Sequence, residues 1–505
     1  MPQPDSSPLA SFLAQVAARP RAVAVQDSGT EITYADLLDA AQILRADLAA
    51  AGARPGDVIA VVLPRGWRVV AAMAAIWLHG CGYVPIDPDY PQARQAFMIA
   101  DSGARVAVAH AAALRPHPVT VVTPPERGRG YSGPYPSIDR PADTPAYVIY
   151  TSGSTGMPKG VEVSPMAVAA LLRSCASVFR FTPEDIWTWF HSHSFDFSVW
   201  EIWGALTTGG RVVVVSPSTA RNPAAMLKLL ETNQVTVLSQ VPSAFRHLVR
   251  AYGRRRAALV LRYVVLGGEA LDRPSVRQWM TMRDGPETLV DMYGITETTV
   301  HVTYRFLRRE DVETDVGGTR IGGPLPHLDI ALFDDAGVQV ADGTPGEIYI
   351  SGDSLADGYR GNAHQTAQAF PLLTIDDTTR RWYRSGDLAR RLPDGTYEYL
   401  GRVDRQLTLR GFRIEPGETE AVLRRLPGVL DAVVDVERAS TEAVLTAYVV
   451  TNRPDETALL RSSCRAHLPA HLVPDRVVRL AELPLTPSGK LDRGRLRGDR
   501  HEEDQ

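Results

Sequence analysis

The sequence predicts an α/β fold: a large N-terminal domain of parallel or mixed sheets covered by helices, followed by a small α+β domain. Three observations carry this expectation. Helical and strand-like patterns alternate through about the first four hundred residues. The pattern changes near Gly401 to a short run of helix, two strands and helix. The composition, 44% hydrophobic and 22% charged over 505 residues, is that of a globular chain able to bury a large core.

The elements follow in order. Thr33 suits a helix N-cap, with Asp36 at the reciprocal capping position. Leu37, Leu38, Ala41, Leu44 and Leu48 then recur at helical spacing, and Gly52 can end the helix. DVIAVVLP reads as a buried strand and Trp67–Leu78 as an apolar helix. Further strand-like runs stand at AYVIY, GRVVVVS, VTVLSQ and LRYVVLGG. Helices lie between them, such as PSAFRHLVRAYG, where Pro242 fits a first helical turn. Residues 124–145, rich in Pro, Gly and Ser, read as a surface connection. Arg254, Arg255 and Arg256 read as a solvated helix end. After GRVD come a helix over 418–425, the strands LDAVVDVER and AVLTAYVVT, another helix and a basic tail. That is a unit of about one hundred residues. The expected domains are 1–402 and 403–505, with the boundary at 402–405.

Composition excludes several classes. Lys plus Arg total 54 and Asp plus Glu total 58, so a net charge of −4 gives no basis for nucleic-acid binding by bulk charge. Cys81, Cys175 and Cys464 form no CxxC pair, which argues against a zinc ribbon or dithiol site. Their sparse, odd count fits a reducing compartment. No Lys or Arg precedes Arg19, so a secretory signal is not indicated. The longest apolar run, Val69 to Leu78, is short of the roughly 18 residues of a membrane span. The expected location is the cytoplasm, with no membrane partner.

YTSGSTGMPKG, residues 150–160, directly follows a predicted strand. Gly153, Gly156 and Gly160 allow tight turns that aim amide N–H groups at an anion. Ser152, Ser154 and Thr155 add hydroxyls and Lys159 adds charge, as a triphosphate requires. The loop is not a Walker motif, because Gly160 stands where Ser or Thr would follow the lysine.

This loop resembles the signature of adenylate-forming enzymes, and further motifs appear in that family's order. They are ITYADL, GYVPIDPDYP, FDFSVWE, YGITETTV, GEIYISGDSLADGYRGN, YRSGDL, GRVDRQLTLRGFRIEPGETE, LPAHLVP and PSGKLDR. FDFSVWE and YVPIDPDYP point to the nonribosomal peptide synthetase adenylation branch. The resemblance implies ATP-dependent activation of an amino acid to an aminoacyl adenylate with release of pyrophosphate. Transfer to the phosphopantetheine thiol of a separate carrier protein would follow. It implies a mobile small domain pivoting at Asp404, although Thr408 stands where the family often has Lys.

Site residues carry over by motif. Lys490 matches the catalytic lysine and Glu297 the Mg2+ ligand. Thr296 would contact the α-phosphate and Tyr293 would stack on adenine. Asp291, where Asn is common, would accept from the adenine amino group while adding negative charge. Asp387 and Arg402 would hold the ribose. Thr151, Ser152, Gly153, Ser154, Thr155, Gly156, Lys159, Gly268, Glu269 and Met292 complete the ATP set. Phe195 and Asp196 open the amino-acid site, with Asp196 on the substrate ammonium and Lys490 on its carboxylate; a helix-capping aspartate is the other reading of Asp196. The side-chain walls would be Phe197, Trp200, Ser239, Val265, Gly267, Met292, Val300 and His301. The bulky members leave a small cavity, and Ser239 and His301 can bond a hydroxyl. The set resembles threonine-activating members, which often have Asn where Ser239 stands.

Only 15 residues follow Lys490 and Met1 opens close to the first helix, so a free-standing enzyme with a separate carrier is expected. An MbtH-like helper protein is a further possible partner. The alternatives are an amino-acid- or acyl-CoA ligase and a non-catalytic adenylate-binding scaffold.

Overall fold

The computed structural model describes residues 7–110, 119–126, 140–153, 157–283, 285–313, 319–375, 377–404, 406–439, 442–452, 457–484 and 495–496. Lys490, Ser154, Thr155, Gly156 and most of the 124–145 connection lie outside the described residues. The chain forms two compact units. The first comprises Met1–Pro88, Met98–Tyr150 and Gly160–Val403, the second Asp89–Phe97, Thr151–Lys159 and Asp404–Gln505.

In the first unit the predicted capping box is present. The Thr33 hydroxyl accepts from the Asp36 N–H at 3.1 Å, and the Asp36 carboxylate accepts from the Thr33 N–H at 3.2 Å. The helix Tyr34–Ala50 follows and packs against Trp67–Leu78. The second helix is buried all round apart from Arg68, which explains why it reads as apolar rather than amphipathic.

Two sheets organise this unit. In the seven-stranded sheet Gly82–Pro85, Val58–Val62, Val106–Ala109 and Thr120–Val122 run parallel. In the thirteen-stranded sheet Arg211–Val214, Ile186–Trp189, Val237–Gln240, Tyr263–Gly267 and Thr288–Tyr293 run parallel. Beyond Tyr293 the predicted alternation fails: Thr303–Phe306, Thr319–Pro324, Gly346–Gly352, Tyr383–Arg391 and Tyr397–Arg402 pair antiparallel. For the pair Tyr383–Arg391 and Tyr397–Arg402 the reason is connection length: the LPDGT turn suffices for a hairpin but is too short for a helical crossover.

The parallel strands sort their side chains by face. Val237, Val265, Val290 and Met292 enter one core with Phe197 and Trp200. Leu238, Val264, Leu266 and Leu289 enter another with Phe245 and Trp279. This alternation decides which residues reach the candidate site.

The second unit contains the predicted helices, Pro416–Arg424 and Thr457–His467, and the strands Val429–Ala439 and Glu442–Thr451. It also contains elements the sequence reading missed. Leu407–Leu409 and Phe412–Ile414 form a hairpin, and Arg476–Leu480 pairs parallel with Glu442–Thr451. Three-residue strands carry too little periodicity to read. Among the described residues no helix is long and apolar enough to cross a membrane. All three cysteines are buried free thiols.

Candidate active site

Asp196 stands at the start of helix Phe197–Thr208, with helical angles (φ −63°, ψ −23°) and no side-chain capping bond. The capping reading of this aspartate therefore fails. Its side chain is buried, and burial is the main force raising its pKa from 3.8 to about 6. A hydrogen bond from the Thr296 hydroxyl opposes the rise, and the neighbouring Glu297 adds to it. A buried acid beside another acid is a natural receptor for a cation.

Around it stands an aromatic wall. The Phe197 ring lies 6.0 Å from Trp200 and 4.9 Å from His301, and His301 is 5.3 Å from Trp200. Register places Ser239 beside Val265 and Gly267 beside Met292 on adjacent strands. A Cβ at Gly267 would lie 3.3 Å from the Phe197 ring and 2.9 Å from the Met292 carbonyl oxygen, so glycine lets the ring sit against the sheet. Three polar atoms in this wall lack a hydrogen-bond partner among the described residues: Ser239 Oγ, His301 Nε2 and Trp200 Nε1. Burial holds the His301 pKa down at about 3, so the ring is a neutral imidazole.

The chain reaches His301 through a strained turn. Thr299 and Val300 both adopt positive φ, 59° and 69°, which is costly for a β-branched residue. Gly294 makes room: a Cβ there would lie 1.8 Å from the Val300 carbonyl oxygen. The 354–359 segment fixes the turn. Thr299 Oγ1 donates to the Ser354 carbonyl at 2.7 Å, and Ser354 Oγ donates to the Thr298 carbonyl at 3.0 Å. The Tyr359 hydroxyl donates to Glu297 Oε1 at 2.9 Å, and Glu297 is fully buried. Glu297 thus sits in a hydroxyl-rich turn, Thr296–Thr298. No group of three or more His, Cys, Asp or Glu suited to a metal occurs among the described residues. That donor set suits Mg2+, which takes one or two carboxylates plus phosphate oxygens.

Asp387 gathers a second cluster. Its carboxylate accepts from Tyr293 Oη at 2.6 Å, Arg402 at 2.8 Å and Tyr399 Oη at 3.2 Å. Strand register sets this up, since Asp387 pairs with Arg402 across two antiparallel strands. Arg402 also donates to the Ser385 carbonyl at 3.2 Å.

This combination of a buried acid in an aromatic wall, a hydroxyl-rich turn with a carboxylate and a Tyr–Asp–Arg cluster has known counterparts. Residues 12–360 match the AMP-binding enzyme family, and residues 418–490 match the AMP-binding enzyme C-terminal domain. The chain is 41% identical over 507 residues to a dimodular nonribosomal peptide synthase of Bacillus subtilis, covering 96% of this chain and 21% of that protein. It is 40% identical over 490 residues to syringomycin synthase SyrB1 of Pseudomonas syringae pv. syringae, covering 94% of this chain and 79% of that protein. This chain is a nonribosomal peptide synthetase adenylation domain of the adenylate-forming family.

The adenylation domain is an amino-acid adenylating ligase. It superposes on holo-PA1221, a protein containing adenylation and PCP domains, with a TM-score of 0.84 and 29% identity, covering 98% of this chain and 84% of that one. It also superposes on the amide bond synthetase McbA of Marinactinospora thermotolerans, with a TM-score of 0.85 and 26% identity, covering 98% of this chain and 100% of that one. The chain spans only a fifth of its first Bacillus subtilis relatives, 21% and 19% of their lengths.

Other predicted site residues of the adenylation domain are placed as follows. Phe195 is half-buried with its ring 5.6 Å from His191. Gly268 has a φ of 80°, and Glu269 accepts from the Ser243 N–H at 2.8 Å and the Ser243 hydroxyl at 3.1 Å. Glu269 therefore caps the helix Pro242–Arg254. Asp291 lies on the sheet face opposite Met292, across from Arg305. Burial pushes its carboxyl up to about 7 against the pull of Arg305 and Arg273. At neutral pH it is only partly charged, which moderates the expected excess of negative charge. Thr151, Ser152, Gly153 and Lys159 belong to the second unit; Thr151 and Ser152 are buried. Asp404 opens the last segment of that unit and accepts from the Gln406 N–H at 3.0 Å. Sequence reasoning missed Tyr399 and Tyr359. Tyr399 is three residues before Arg402, a spacing that strand period puts on the opposite face. The register shift between Leu388 and Ala389 accompanies their meeting at Asp387, and no local signal marks it.

Proposed function

We propose that this adenylation domain activates L-threonine or a close β-hydroxy analogue and passes it to the phosphopantetheine thiol of a separate carrier protein. The observation carrying the substrate reading is the pair of wall atoms Ser239 Oγ and His301 Nε2, which, like the donor Trp200 Nε1, have no partner among the described residues and stand beside buried Asp196. A ligand hydroxyl satisfies that pair, and a ligand ammonium answers Asp196.

In the first half-reaction the substrate carboxylate oxygen attacks the α-phosphorus of ATP, and pyrophosphate leaves. Asp196 holds the ammonium. By its motif, Lys490 would supply a cation that offsets the charge building in transfer. Thr296 would donate to the phosphates, and the resemblance gives the same role to the 151–159 loop with Lys159. Glu297 would hold Mg2+, which neutralises phosphate charge when bound. Tyr293 packs against adenine, Asp291 meets its amino group, and Asp387 with Arg402 and Tyr399 takes the ribose hydroxyls. In the second half-reaction the carrier thiolate attacks the acyl carbon, and AMP leaves. The solved adenylation–PCP neighbours support a carrier partner. Asp404 serves as the pivot between the two steps, at the junction of domains 1–402 and 403–505. An MbtH-like helper completes the proposed partners.

The test is amino-acid-dependent ATP–pyrophosphate exchange with threonine, allo-threonine, serine, valine and 2-aminobutyrate, run with and without an MbtH-like protein. Threonine should dominate, and Lys490→Ala should reduce the rate by about 10²–10³. Equal rates with 2-aminobutyrate would overturn the hydroxyl reading. Loading of CoA but not of carrier protein would favour a CoA ligase.

A further inference from the structure

His191 lies five residues before Asp196 and belongs to none of the roles assigned above. Its Nδ1 is 3.0 Å from Glu201 Oε1. Glu201 Oε2 accepts the backbone N–H groups of Phe190 at 3.1 Å and His191 at 3.0 Å. Glu201 is fully buried and sits four residues after Phe197 on the same helix, so both project from one face. A carboxylate accepts, so His191 Nδ1 donates this bond. The imidazole is thereby held in orientation.

The ring meets Phe190 at 5.2 Å and Phe195 at 5.6 Å edge-on, and among these three aromatic neighbours it stacks on Phe197 alone, with centroids 4.2 Å apart and an interplanar angle of 8°. His301 meets the same Phe197 ring at 90°, and Gly267 lies against it from the sheet. We propose that His191 is a positioning residue: its ring, as a stacked plate, sets the plane of Phe197 and so the size of the side-chain pocket. This rests on the reading of Phe197 and His301 as pocket walls. Without the imidazole, Phe197 tilts into the space behind it, and the pocket lengthens by about the depth of a ring.

The test is exchange kinetics of the full chain for His191→Ala, His191→Phe and, in parallel, Asp196→Asn, each checked for folding by thermal unfolding. In His191→Ala, valine and leucine should gain at least about tenfold on threonine in kcat/KM. The threonine KM should rise about tenfold while kcat and the ATP KM stay within about threefold, a split that general loosening does not produce. His191→Phe keeps the stacked plate and should restore discrimination to within about threefold. An unchanged valine-to-threonine ratio in folded His191→Ala overturns the inference. Lost discrimination in folded His191→Phe also overturns it, and that variant decides the matter if His191→Ala does not fold. If Asp196→Asn leaves the threonine KM unchanged, the pocket reading itself fails. If only Asp196→Asn alters it, the role of His191 alone fails.

Discussion

Asp387 and Asp196 are both buried carboxylates in the first unit, yet they are furnished in opposite ways. Asp387 accepts from Tyr293, Tyr399 and Arg402. Around Asp196 the wall atoms Ser239 Oγ and His301 Nε2 have no partner among the described residues, and the carboxyl itself is raised to about 6. On the proposed reading, the first cluster is a scaffold, satisfied within the protein, that a nucleotide would join by sharing acceptors. The second would hold hydrogen bonding and charge for a ligand to meet. Removing a group should therefore damage folding at one end and binding at the other.

The sharpest break of this comparison is Asp196→Asn. Exchange should fall about 10²–10³-fold, because the substrate ammonium loses its buried counter-charge. Stability should move the other way. The folded pKa is above the unfolded value, so the charge destabilises the fold as pH rises from about 4 to about 6, and fully above that. The asparagine variant should be more stable at pH 7.5 by on the order of 1–3 kcal/mol, and the gain should vanish below about pH 4. In the wild type, the threonine KM should be flat above about pH 6.5. It should rise up to tenfold per unit below about pH 6, as Asp196 takes up its proton.

Asp387→Ala should do the reverse. It removes the carboxylate to which Arg402, with a mostly buried side chain, donates. Denaturant titration should show a loss of about 3–5 kcal/mol, besides a raised ATP KM. An unchanged midpoint would break the contrast.

Smaller effects refine it. His301→Leu should leave stability within about 1 kcal/mol, since Nε2 has no partner among the described residues to lose. The threonine preference over 2-aminobutyrate should fall at least about tenfold, read from competing exchange rates. Tyr359→Phe removes the hydroxyl that orients Glu297. A rise of a few-fold in the Mg2+ concentration needed for half-maximal exchange is expected, of the order of one lost hydrogen bond.

The legible and illegible parts divide along physical lines. The Thr33 capping box, the Trp67–Leu78 helix and the parallel strands were legible because cap chemistry and period are local. Phe197, Trp200 and Val300, among the proposed pocket walls, stand in the contiguous strings FDFSVWE and YGITETTV, so their candidacy was readable locally. The antiparallel run after Tyr293 was not, since pairing direction is a tertiary outcome. Nor was the positive φ at Thr299 and Val300, which no local rule favours and which Gly294 and Ser354 jointly hold. His191, Tyr359 and Tyr399 act through partners 10, 62 and 12 residues away, beyond any local pattern.

The measurement closest to the central claim is a cycle between Asp196 and the substrate ammonium. Exchange is measured for threonine and for 3-hydroxybutyrate, which lacks the amino group, in the wild type and in Asp196→Asn. The account predicts that the wild type prefers threonine by about 10² or more and that the preference collapses in the variant. A preference that survives the substitution unchanged would contradict it, and would place recognition of the amino group elsewhere.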